Sequence, residues 1–128
     1  MRKMILILLA VMLLTACGQG EGNNQEAVYM NITAKEAKDI MDKEEGYIIL
    51  DVRTQEEYDE GHIPSAILIP HTEIETEAES ILADPDQLIL VYCRSGRRSK
   101  LAAEILVELG YTNIREFGGI IDWPYEVE

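Results

Sequence analysis

Cys93 lies in the segment Val91-Tyr92-Cys93-Arg94-Ser95-Gly96-Arg97-Arg98-Ser99, where three arginines and a glycine follow the thiol within five residues. The thiolate is the reactive form of cysteine. Guanidinium charge and the backbone N–H groups of a helix N-terminus both favour it. The flanking sequence supplies such a place. Leu88 to Tyr92 is a short, β-rich apolar run that reads as a buried strand. Ser99 to Leu109 has helical spacing, with Leu101, Ala102, Ile105, Leu106 and Leu109 expected on one face. The thiol is therefore expected on a turn between a strand end and a helix start. Arg94, Arg97, Arg98 and Lys100 form the one dense basic cluster of an otherwise acidic chain, which points to an anion site. A buried, inert cysteine is the plainer reading of a lone thiol, and the arginine-rich loop argues against it.

Strand-like and helix-like segments alternate along the chain. Val28 to Ile32 is a candidate first strand. Thr33-Ala34-Lys35-Glu36 is a capping box that opens a helix to about Lys43. Tyr47 to Val52 reads as a buried strand, and Thr54-Gln55-Glu56-Glu57 as a second capping box before a short helix ending near Gly61. Ala66 to Ile69 is a third strand and Thr72 to Leu82 a helix. The helix after Cys93 stops at Gly110. Asn113 to Phe117 is a fifth strand, and a last short helix follows Gly118. This alternation predicts an α/β domain with a mostly parallel sheet. Ligands in such sheets bind beyond the carboxyl ends of strands, where Cys93 falls.

Residues 1–16 read as a segment apart. Arg2 and Lys3 precede an apolar run, Met4 to Leu14, with the length of a signal-peptide core and too short for the ~20 residues that span a bilayer. Leu14-Thr15-Ala16-Cys17 resembles the lipobox of bacterial lipoproteins, in which the cysteine is lipidated and becomes the first residue. Residues 17–27 then form a lipidated cysteine and a polar, flexible tether of about 17 Å reach, and residues 28–128 the domain. Removing residues 1–16 takes away Arg2 and Lys3 and no acid, so the formal charge moves from −13 to −15. That charge argues against nucleic acid as a partner. With Cys17 carrying lipid, Cys93 has no thiol to pair with inside the chain. Nothing in the spacing of His, Cys and acidic residues points to a metal, and no cofactor is implied.

Taken together, Ile49-Leu50-Asp51-Val52-Arg53 with Glu57-Tyr58, Gly61-His62-Ile63-Pro64-Ser65-Ala66, the Cys93 loop, and Phe117-Gly118-Gly119-Ile120-Ile121-Asp122-Trp123 resemble the single-domain rhodaneses, the thiosulfate sulfurtransferase family. The resemblance runs from about Met30 to Tyr125. It implies a rhodanese-like α/β fold, five strands flanked by helices, with the cysteine at the base of a cradle of N–H groups. It also implies covalent catalysis. Cys93 is the expected catalytic residue, taking a sulfane sulfur from thiosulfate or a persulfide and passing it to cyanide or a thiol. Arg94, Ser95, Gly96, Arg97, Arg98 and Ser99 are the expected substrate-binding loop. Which arginine side chains point inward is left open.

Asp51, Arg53 and His62 are expected to hold the fold by hydrogen bonds and ion pairs, Trp123 to pack, and His71 to be a surface loop residue. Two rival readings remain. One is a module that carries persulfide or binds a partner without turnover. The other is a cysteine phosphatase, which uses Cys-x5-Arg. Here the sixth residue after Cys93 is Ser99 and the arginine falls one place earlier, at Arg98. The lipobox places the protein at the extracytoplasmic face of the cell membrane, held by its lipid anchor.

Overall fold

The computed structural model describes residues 28–128. The expected signal segment 1–16 and expected tether 17–27, Cys17 included, lie outside the described residues. The elements in chain order are β1 (Met30–Asn31), α1 (Ala34–Lys43), β2 (Ile48–Asp51), α2 (Gln55–Glu60), β3 (Ile67–Leu68), α3 (Ile74–Ile81), β4 (Ile89–Cys93), α4 (Arg97–Glu108) and β5 (Ile114–Gly119). Single 3-10 turns, His71–Glu73 and Ile120–Asp122, precede α3 and follow β5. The five strands form one sheet in the order β1-β5-β4-β2-β3, and every pairing is parallel.

Both capping boxes close. Thr33 Oγ1 accepts the Glu36 N–H at 3.1 Å while Glu36 Oε1 accepts the Thr33 N–H at 3.3 Å. Thr54 and Glu57 repeat the exchange at 3.2 Å each way, which fixes the start of α2 directly after β2.

All five residues of β4 are buried, as a central strand covered on both faces must be. Side chains alternate along it. Ile89, Val91 and Cys93 join the cluster under α3 and α4, with Leu50, Val52, Ala102, Ala103 and Leu106. Leu90 and Tyr92 join the opposite cluster with Ala37, Ile40, Ile63, Phe117 and Trp123. Consecutive residues at the end of this strand thus serve opposite faces of the sheet.

The expected burial of α4 needs correction. The helix starts at Arg97, two residues earlier than the apolar spacing predicts, because Gly96 at φ +104° turns the chain directly into it. Its buried stripe is Ser99, Ala102, Ala103 and Leu106, and Leu101 is 41% exposed. At about 100° per residue Leu101 falls off a stripe running through 99, 102, 103 and 106. The small residues of that stripe let the helix lie close to β4 and β5. The expected helix Thr72 to Leu82 divides into a 3-10 turn and a shorter α3 behind Pro70.

Candidate active site

The site forms where β4 ends and α4 begins. The β4–β5 ladder is regular from Ile89 to Val91, then shifts register before Cys93 pairs with Gly119. Such irregularities re-aim a side chain at a strand end. Gly96 supplies the left-handed turn at the N-cap of α4 and uses no side-chain cap, so the N–H groups of the first turn stay free to face the sulfur. Its own N–H donates to Cys93 Sγ at 3.0 Å. The loop also needs Gly119. A Cβ there would stand 2.0 Å from the Arg94 carbonyl oxygen and 2.6 Å from Ser95 Cα. The Ile121 N–H then donates to the Arg94 carbonyl at 3.2 Å, joining the loop to the segment after β5.

Cys93 is 0% exposed, and burial pushes its thiol pKa up. The Ser99 hydroxyl and the backbone N–H groups of Ser99, Gly96 and Ser95 outweigh that effect, and the net shift is downward. Hydrogen bonding to the charged form is therefore the main stabiliser of the thiolate, ahead of guanidinium charge.

The loop residues occupy three kinds of position. Arg94, Ser95 and Arg97 are exposed. Gly96 and Ser99 are buried, and Ser99 Oγ lies 3.4 Å from Cys93 Sγ. Arg98 is half-buried and turned to α2, where its two terminal nitrogens donate to both carboxylate oxygens of Glu57 at 2.6 and 2.8 Å. Arg98 holds the Glu57 carboxyl down at about 2, far below its ordinary value. Arg94 and Arg97 thus remain as the loop arginines without an ion pair among the described residues.

The neighbouring motif residues build a scaffold. Asp51 is fully buried at the end of β2. It accepts the Arg53 N–H at 2.9 Å, Arg53 Nη2 at 2.6 Å and the Tyr92 hydroxyl at 2.6 Å. Arg53 Nη2 also donates to the Gly61 carbonyl at 2.7 Å, and the Tyr92 oxygen accepts the Ile63 N–H at 3.0 Å. Burial opposes the Arg53 charge, yet Asp51 raises its pKa on balance. Burial and the Asp51 carboxylate push the Tyr92 phenol well up. His62 stacks on Tyr58 at 3.8 Å between ring centroids and meets the Glu128 carboxylate at 3.3 Å. Trp123 packs against Phe117 and Tyr125. His71 is half-buried in the 3-10 turn, with its N–H bonded to the Val52 carbonyl at 3.0 Å.

An open cavity of ≈ 520 Å³ adjoins the loop, bordered by Arg53, Glu57, Gly61, Arg94, Ile121 and Trp123. A second, of ≈ 240 Å³, lies between α1 and the C-terminal segment, away from the thiol. Among the described residues no group of His, Cys, Asp and Glu could hold a metal ion.

Glu116 is the residue the sequence reading missed. It is 2% exposed and accepts the Ser99 hydroxyl at 2.7 Å and the Gly118 N–H at 2.8 Å. Its signal was available, since strand alternation from Ile114 puts position 116 on the inward face, where a carboxylate is out of place. The Glu57–Arg98 pair, 41 residues apart, had no such signal.

A parallel five-stranded sheet with a thiol in an N–H cradle at a strand end defines the class. Residues 33–124 match the family described as Rhodanese-like domain, and the chain belongs to it. It is 40% identical over 73 residues to the thiosulfate sulfurtransferase PspE of Escherichia coli (strain K12), covering 57% of this chain and 70% of that protein. It is 36% identical over 111 residues to the putative sulfur carrier protein YrkF of Bacillus subtilis (strain 168), covering 85% of this chain and 59% of that longer protein. Among solved structures it is similar to a rhodanese with anions from E. coli. That likeness has 35% identity and a TM-score of 0.61, and covers 64% of this chain and 96% of the other. The fold and these relatives support sulfur transfer as the general activity.

Proposed function

We propose that the protein is a sulfurtransferase that carries a sulfane sulfur on Cys93. The Cys93 thiolate attacks the outer sulfur of thiosulfate, forming a new S–S bond. The original S–S bond breaks, and sulfite leaves with its electron pair. Cyanide or a thiolate then attacks the outer sulfur of the persulfide, and Cys93 leaves as thiolate. Neither half-reaction with thiosulfate and cyanide requires a proton. The backbone N–H groups of the loop match the charge at each stage, while Arg94 and Arg97 at the rim attract the dianion.

The observation that carries this reading is the Gly96 N–H at 3.0 Å from a thiol whose pKa the loop lowers despite complete burial. The burial favours small substrates. A larger tetrahedral phosphate ester calls for a bidentate arginine, and both terminal nitrogens of Arg98 are on Glu57. A thiosulfate–cyanide assay beside a phosphomonoester assay tests the reading. Thiocyanate release without phosphate release is expected, and the reverse would overturn it.

Lipidation of Cys17 is proposed on the sequence alone. It would hold the domain at the extracytoplasmic face of the cell membrane, where environmental thiosulfate or cyanide is met. One acyl chain anchors only marginally, so the several chains of a lipoprotein matter. Cys17→Ala should leave the membrane fraction or remain unprocessed. A variant processed and membrane-bound like the wild type would remove this part of the proposal.

A further inference from the structure

The Ser99 hydroxyl has one hydrogen and four acceptors within reach. These are Glu116 Oε1 at 2.7 Å, the Gly96 carbonyl at 3.0 Å, Cys93 Sγ at 3.4 Å and the Gly118 carbonyl at 3.4 Å. Two of the four are groups that carry full charge, and charged acceptors form the stronger bonds. Ser99 is 0% and Glu116 2% exposed, so bulk water offers no substitute donor. The Gly118 N–H fixes the carboxylate and the Gly96 N–H fixes the sulfur. The hydroxyl hydrogen is the movable part, and rotation about its Cβ–Oγ bond decides which anion it serves.

We propose that Glu116 is a positioning residue that competes with Cys93 for the single hydroxyl hydrogen of Ser99. The inference rests on the thiolate chemistry proposed above. The competition leaves the resting thiolate less stabilised, and so more nucleophilic, than its loop alone would make it. A thiol's nucleophilicity falls as its pKa falls, with a Brønsted slope of about 0.4–0.5. Once sulfur has been transferred, the charge lies on the outer sulfur and Sγ is a neutral bridge. The hydroxyl then turns to Glu116. No proton leaves Ser99 at any stage.

Other charges face this group. Arg98 of α4 couples to Cys93, Glu57 of α2 neutralises Arg98, and Asp51 of β2 acts on Arg98 as well. On the other side, burial raises the Tyr29 phenol, and Glu104 and then Glu116 add to it. Arg98, Glu57, Asp51 and Glu104 all stay in place when position 116 alone is changed.

The test is the alkylation rate of Cys93 in the full chain against pH, read as a midpoint and a high-pH plateau. Glu116→Gln should move the midpoint down by about one unit and lower the plateau about two- to threefold, as that slope requires. Ser99→Ala should move the midpoint up. In a Ser99→Ala background, Glu116→Gln should shift the midpoint by less than half as much as it does alone. Glu116→Asp keeps the charge and withdraws it from Ser99, so its midpoint should also fall. That variant serves as the test if Glu116→Gln does not fold. Equal shifts with and without Ser99, or an unmoved midpoint in Glu116→Asp, would mean that the carboxylate acts through space and would overturn the proposal. The readout uses no thiosulfate. A protein that shows these shifts but transfers no sulfur would retain this inference and lose the functional one.

Discussion

Tyr92 and Cys93 are neighbours on one strand, and they end in opposite kinds of polar environment. Tyr92 enters a closed network in which Asp51, Arg53, Gly61 and Ile63 satisfy one another at 2.6–3.0 Å. Cys93 enters an open one, where N–H groups of a helix start converge on a single sulfur. The closed network includes an ion pair whose side chains are 5% and 0% exposed. In the proposed chemistry the open network holds donors in place for a charge that moves from one sulfur to the next. Buried polarity serves architecture where it is mutually satisfied and reactivity where fixed donors converge on an ionisable sulfur. The β4 pleat separates the two by one residue.

The sharpest way to break this comparison is to change one side and look for damage on the other. Cys93→Ser should reduce sulfur transfer to background while leaving the denaturation midpoint close to wild type. A large loss of stability would mean that the thiol belongs to the scaffold. Asp51→Ala should do the opposite. It strands a buried guanidinium and a buried phenol, and should lower unfolding free energy by about 3–5 kcal/mol in urea titration. A loss below ~1 kcal/mol would show that the closed network is dispensable.

Glu57→Gln probes the link between the two regions. The depressed Glu57 pKa means that the pair's stability is fully present above the unfolded value near 4.5 and is lost as pH falls through about 2. The variant should be less stable than wild type by about 1 kcal/mol at neutral pH. That difference should vanish toward pH 2, and a difference independent of pH would exclude the ion pair as its cause. The smallest effect is expected at the rim. Replacing Arg94 and Arg97 together should raise KM for thiosulfate a few-fold and flatten its salt dependence, because exposed charges act over a screened range of about 10 Å at 0.1 M salt. An unchanged KM would leave substrate binding to the backbone cradle alone.

What was legible in the sequence follows this same division. Local signals read well. Thr33 and Thr54 opened their helices as the capping boxes require, and the apolar run ending at Tyr92 became the central strand. The structural roles expected of Asp51, Arg53 and Trp123 match the contacts they make. Contacts between distant segments were not legible. Spacing could not show that Arg98 of α4 would turn away to Glu57, or that Ser99 of α4 would meet Glu116 of β5. The burial of Leu101 was misjudged because periodicity gives a stripe and not its phase, and the phase depends on how closely Ala102 and Ala103 let α4 approach the sheet.

The central claim is that the sulfur in the open network is the one that carries the transferred atom. Mass spectrometry of the protein after thiosulfate treatment tests it most directly, with peptide mapping and Cys93→Ser as the control. The expected result is one added sulfur on the peptide containing Cys93, removed by cyanide and absent from the variant. Turnover of thiosulfate with no sulfur adduct on Cys93, or an adduct that persists in Cys93→Ser, would contradict the account.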